Sequence, residues 1–294
     1  MHPLVSKLGL GTAQFGLDGA AVGRGRPPEL EVRDILSIAA RSGVSVLDAG
    51  AASPHAEQIL GRVLPRSPSL RMTIKAARGD RGPDFVEAEA RATLARLGVP
   101  GADAIVVQSA GDLFSPYGMA MWERLFAMRD AGLFNKVGIS AYASDDPAGL
   151  ARRFRPDLIQ APVSLLDQRL LVDGSLAAVK ALGVEVHLRS VFLNGLLFLP
   201  PDRVPSQYKA AAARLSRARR MIAEGRSDPL QAALGFALSR PEADSVIVGA
   251  ATASEVQAVI AAATRPPPDL DWDDMALDDH EMVDETARWS ASAA

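Results

Sequence analysis

The sequence predicts a (β/α)₈ barrel, and three observations carry that prediction. Short β-branched runs alternate with amphipathic helical patterns eight times over roughly 250 residues, the usual extent of such a barrel. The strand runs are almost continuously apolar, as parallel strands buried on both faces must be. The glycine turn that a doubly wound sheet would carry after its first strand is missing. Gly9, Gly11 and Gly16 are wrongly spaced for it, and no helix follows at once.

The elements follow in order. LGLGT, from Leu8, is the first strand, and EVRDILSIAARSG is a helix with apolar positions three and four apart that stops at Gly43. VSVLDA and MTIKA are the second and third strands, separated by the helix HAEQILGRVL. FVEAEARATLARLG, ending at Gly98, leads to the strand AIVVQ; MAMWERLFAMRDAG, ending at Gly132, leads to KVGIS. PAGLARRF precedes LIQAPV, and SLAAVKALG, ending at Gly183, precedes VEVHLRS. An additional helix, YKAAAARLSRARRMIAEG, stands between the seventh strand and its own helix, DPLQAALGFALSR. SVIVG is the eighth strand and SEVQAVIAAA the last helix. Residues 265–294 are expected as a C-terminal tail on a single barrel domain, starting with Pro266-Pro267-Pro268 and continuing acidic.

Composition excludes several function classes. The 294 residues include no cysteine, which removes disulfides, thiolate metal sites and cysteine nucleophiles and suits a cytoplasmic protein. No apolar run approaches the ~18 residues that would span a bilayer. The N-terminus shows no basic-then-apolar leader pattern, so no signal peptide is expected. A net charge of −3 with interspersed signs argues against nucleic acid as a partner. The basic groups Arg152-Arg153 with Arg155, and Arg217 to Arg220, read as solvated helix faces. No histidine–carboxylate cluster sits at the strand ends, so no metal is expected.

The segment Ser45 to Gly61, SVLDAGAASPHAEQILG, carries the functional signal. It resembles the D-T-A-x-x-Y-G-x-S-E-x-x-L-G segment of the aldo-keto reductases. Asp48, Glu57, Leu60 and Gly61 keep the frame, while Ser53 stands at the tyrosine position. The resemblance runs from about Leu8 to Ala263 with its motifs in order, and includes the additional helix. LGLGTAQFG and RSVFLNGLL are most similar to bacterial members found near sugar-modification genes, which suggests a carbohydrate-like substrate.

The resemblance implies an oxidoreductase that reduces a carbonyl with NAD or NADP. In such a tetrad a tyrosine protonates the oxygen, a lysine held by an aspartate tunes the phenol, and a histidine orients the substrate. Asp48 and Lys75 match the aspartate and the lysine; Gln108 stands at the histidine position. The amide of Gln108 still donates hydrogen bonds, but Ser53 is too short and too weak an acid to replace a phenol. His55, two residues beyond, is the candidate replacement acid. Tyr142 is a second candidate and reads more naturally as pocket lining, and His187 as a packed strand residue.

For the cofactor, the resemblance implies Ser140 and Gln160 at the nicotinamide. It implies Arg189, Ser190, Val191 and Leu193 at the pyrophosphate, with Gly11, Thr12 and Gly249 along the groove. In LIQAPVSLLDQR, Ser164 replaces an asparagine of near relatives. The adenosine end departs from the family. Ala251 or Glu255 falls where a cation would meet a 2′-phosphate, and Ala258-Val259 replace Glu-Asn. Two alternatives stay open: a non-redox epimerase, isomerase or lyase on the same barrel, or a catalytically inactive binding protein.

Overall fold

The computed structural model describes residues 4–15, 26–49, 54–64, 70–204 and 211–278. Eight parallel strands, each paired with the next, close into a barrel: β1 (Leu8–Gly11), β2 (Val46–Ala49), β3 (Arg71–Lys75), β4 (Ala102–Val107), β5 (Phe134–Ser140), β6 (Leu158–Pro162), β7 (Glu185–Arg189) and β8 (Ser245–Gly249). β8 returns to β1 in register, Leu8 opposite Val246 and Gly11 opposite Gly249. The expected fold class is therefore correct.

Helices surround the strands: α1 (Glu29–Ser42), α2 (Pro54–Val63), α3 (Pro83–Leu97), α4 (Gly118–Asp130), α5 (Pro147–Phe154), α6 (Arg169–Val172), α7 (Ser175–Ala181), α8 (Ala212–Glu224), α9 (Pro229–Leu238) and α10 (Ala253–Ala263). α1 begins two residues before its apolar pattern, because Leu30 points to solvent. α3 begins at Pro83, whose missing N–H costs nothing at a first helical position. Gly43 and Gly98 end α1 and α3 with φ of 89° and 68°, the left-handed turn that lets the chain enter the next strand.

The signature segment divides into two jobs. Asp48 stays in the barrel, while Glu57, Leu60 and Gly61 fasten α2 to α3. The buried Glu57 carboxylate accepts from Arg96 Nε at 2.5 Å and Thr93 Oγ1 at 3.2 Å. A Cβ on Gly61 would collide with the Arg96 carbonyl oxygen, so the helix backbones meet here. Gly61→Ala is expected to destabilise the protein by about 1–3 kcal/mol through overpacking, read as a lower urea midpoint.

The N-terminal end of the barrel is closed by charge. Glu185 accepts from Lys136 at 2.6 Å, His187 Nε2 at 2.8 Å and Arg71 at 3.3 Å, and Asp103 joins through Lys136 at 3.3 Å. His187 is 2% exposed within β7, packed as its strand position indicated. An open groove of about 870 Å³ lies at this end, lined by Lys136, Arg152, Arg155 and Asp157 among others. It is remote from the C-terminal strand ends, where barrel enzymes place their chemistry.

The second basic cluster is more than a solvated face. Arg217 pairs with Asp274, and Arg214 with Asp278 at 2.6 Å, so α8 holds the described part of the tail. Trp272 packs on Phe236 and its carbonyl accepts from Gln168, while Leu277 N–H bonds Leu166 O beside β6. Residues 279–294 lie outside the described residues. Among those described, no helix is long and apolar enough to cross a membrane.

Candidate functional site

The barrel register brings the retained pair together. Asp48, near the end of β2, lies opposite Gly11 of β1 and Thr73 of β3; Lys75 is the last residue of β3. Lys75 Nζ stands 3.0 Å from Asp48 Oδ1 and 3.3 Å from Oδ2. It also reaches across the barrel interior to donate to Gln160 Oε1 of β6. The side chains of Lys75 and Asp48 are 9% and 10% exposed, so the pair is shielded from water. Burial lowers the Lys75 ammonium below the ordinary lysine range, Asp48 opposes that shift, and the Arg189 cation adds to it.

The neighbouring strands complete the floor. Ser140 of β5 and Gln160 of β6 are register partners, both buried. Gln160 spends its oxygen on Lys75, and its buried amide nitrogen has no hydrogen-bond partner among the described residues. A fully buried amide donor beside a serine hydroxyl fits a ligand carboxamide, as a nicotinamide carries. Gln108 follows β4 half-buried and makes no hydrogen bond among the described residues. Arg189 ends β7 with its guanidinium over the half-buried Tyr142 ring, 4.4 Å from the centroid, which makes that ring part of the lining.

Ser53 lies outside the described residues. His55 is exposed in the first turn of α2 and makes no hydrogen bond among the described residues, so it is not joined to the Asp48–Lys75 cluster. Thr12 braces the strand end, its N–H and hydroxyl both donating to the Asp48 carbonyl, at 3.0 and 3.2 Å. Ser164 similarly caps its own turn, accepting from Leu166 and Asp167 N–H.

After β7 the backbone turns through left-handed residues, with Leu193 N–H on Ser190 O at 2.7 Å and Gly195 N–H on Phe192 O at 2.9 Å. Ser190 and Leu193 adopt φ of 58° and 44°, and Gly195 follows at 85°. Left-handed non-glycine residues cost of order 1 kcal/mol each and gather where a backbone must be presented to a ligand. Val191 and Leu193 are buried, anchoring the turn from inside. Arg219 of α8 donates to the carbonyls of Leu196 and Leu197 at 3.1 and 3.2 Å, holding the turn from outside. This role escapes the sequence, where Arg219 is one arginine of a basic run.

The groove between β8 and β1 is filled by Gln14, also missed in the sequence. Its Nε2 donates to Gly11 O at 3.0 Å and Ala250 O at 2.7 Å, and a Cβ on Gly249 would meet its amide at 3.2 Å. At the start of α10, Thr252 caps Glu255 N–H, Glu255 accepts from Ala251 N–H at 2.8 Å, and Glu31 of α1 accepts from Ala253 N–H at 2.6 Å. Two amides around the helix start, Ala251 and Ala253 N–H, are therefore taken by carboxylates, and Glu255 N–H by the Thr252 hydroxyl. Among the described residues no group of side chains could hold a metal ion.

Comparison with known proteins gives the same fold. The chain superposes on the holo form of an aldo-keto reductase from Bacillus halodurans with a TM-score of 0.72 at 19% identity, covering 94% of this chain and 95% of that one. The apo form of the same enzyme gives 0.70 with the same identity and coverage. The Pseudomonas aeruginosa protein PA4992 gives 0.67 at 18% identity, covering 88% and 89%. No curated protein sequence matches. The family model of the aldo/keto reductases matches residues 7–276, and this chain belongs to that family.

Proposed function

We propose that this protein reduces a carbonyl group with a nicotinamide cofactor, using Asp48, Lys75 and a proton donor other than tyrosine. The observation that carries this reading is the buried Lys75 ammonium, fixed by Asp48 and Gln160 at the catalytic end of a family barrel. When bound, the cofactor supplies a hydride. Gln160 and Ser140 would hold its carboxamide, and the backbone of Ser190 to Leu193 its pyrophosphate. Lys75 presents positive charge where the carbonyl oxygen becomes an alkoxide, in a site dry enough to strengthen that interaction. Gln108 orients the same oxygen through its amide. The amide-rich lining suits a hydroxylated, sugar-like carbonyl compound.

Glu255 and Glu31 at the α10 start favour NADH over NADPH, since a 2′-phosphate placed there meets two carboxylates. Glu255→Lys is expected to improve NADPH affinity relative to NADH by about tenfold, ~1.4 kcal/mol, measured by cofactor fluorescence. The reading as a whole is tested by supplying NADH with a panel of simple, aromatic and sugar aldehydes. Oxidation of NADH matched by alcohol formation is expected. A protein that binds NADH and reduces none of them, with Ser53→Tyr equally inert, would contradict it. The lowered Lys75 ammonium also suits a base in a non-redox isomerase or lyase; that reading predicts turnover with no nicotinamide present.

A further inference from the structure

The position that carries the family's phenol is Ser53, so the alkoxide formed by hydride transfer needs its proton from another group. The described residues offer a specific arrangement for this. Lys75 Nζ has three hydrogens. Asp48 and Gln160 take two of them, from β2 and β6, and among the described residues no further partner engages the third. The acceptors come from opposite walls of the barrel, so the ammonium is fixed in orientation as well as in place. Asp48 on β2 and Arg189 on β7 are the charged groups that act on it; Gln108 beyond β4 and Ser140 and Gln160 on β5 and β6 carry no charge.

Arg189 completes the arrangement. Its guanidinium lies over the Tyr142 ring and donates to Ser190 Oγ at 3.3 Å, and its charge adds to the lowering of the Lys75 ammonium that burial causes first. A neighbouring cation makes an ammonium readier to lose its proton. In a tyrosine-bearing tetrad a lysine performs this service for the phenol.

We propose that Lys75, held in orientation by Asp48 and Gln160, is the proton donor to the substrate oxygen. The step balances. As the carbonyl carbon gains a hydride from the dihydronicotinamide, its C=O π pair becomes an alkoxide lone pair. That pair takes one proton from Lys75 Nζ, leaving a neutral amine held by Asp48 and Gln160, which water reprotonates. This inference rests on the reductase reading for its hydride, but its residue assignments can be tested apart from turnover.

The test is an NMR titration of the full-length protein carrying ¹³C-labelled lysine. There are five lysines, Lys7, Lys75, Lys136, Lys180 and Lys209, and Lys75→Arg assigns the signal in question. Lys75 is expected to titrate below the ordinary lysine range. Arg189→Gln should move its midpoint up, while Arg189→Lys, which keeps the charge, should leave it near the wild-type value. For any aldehyde turned over with NADH, the fall of kcat/KM with rising pH should follow the Lys75 midpoint in all three proteins. A Lys75 midpoint in the ordinary lysine range, or a pH dependence of kcat/KM that does not follow it, overturns the inference. If that happens while NADH still binds and is oxidised, the reductase reading survives without it. If NADH does not bind, the reductase reading falls, and with it the proton-donor role.

Discussion

Lys75→Met is expected to lower kcat/KM for carbonyl reduction by about 10³-fold, within the range that a positioned acid and its charge contribute together. The effect should fall mainly on kcat, because the residues proposed for the carboxamide and pyrophosphate lie on β5, β6 and the turn after β7. The substitution also leaves the Asp48 carboxylate buried without its partner, a situation that costs about 3–5 kcal/mol in other proteins. Asp48→Asn/Lys75→Met removes both charges and should regain much of that stability without regaining activity. Stopped-flow turnover and urea unfolding on the same samples separate the two effects. Full activity in Lys75→Met would remove the residue on which both enzymatic readings depend.

Glu185→Gln is expected to destabilise the barrel by about 2–4 kcal/mol at neutral pH. The figure is set below the fully buried range because Glu185 and Lys136 are 19% and 25% exposed. Burial alone would raise the Glu185 carboxyl, but hydrogen bonds from His187 and Lys136 outweigh it and hold the group well below the usual carboxylate range. A depressed folded-state value contributes stability that is complete above the unfolded-state value of about 4.3. That contribution is lost as pH falls from there toward the folded value. The gap between wild type and Glu185→Gln should therefore be widest near pH 6–7 and narrow below about pH 4. Urea unfolding at pH 7 and pH 3.5 checks the sign; a gap that widens in acid would contradict the assignment.

Much of this was open to sequence reasoning because it depends on local patterns. The strand runs from LGLGT to SVIVG are apolar on both faces, and a parallel barrel is the arrangement that buries both. Asp48 and Lys75 could be paired through the family resemblance, which sets them at or near the ends of adjacent strands. What the sequence hid depends on residues far apart in the chain. Gln160 reaching Lys75 spans 85 positions, and Gln14 reaching Ala250 spans 236. Arg219 looked like part of a charged run because nothing local shows that it faces the carbonyls after β7. The bond from the Thr12 hydroxyl to the Asp48 carbonyl spans 36 positions. α6 is only four residues, too short for a helical period to be read.

The central claim, that this barrel keeps a nicotinamide site around an altered catalytic set, is tested most directly by calorimetric titration with NADH and NADPH. Saturable NADH binding is expected, with weaker NADPH binding and a loss of NADH affinity when Gln160→Leu removes the buried amide donor. Absence of heat and of thermal stabilisation with either cofactor at millimolar concentration would contradict it.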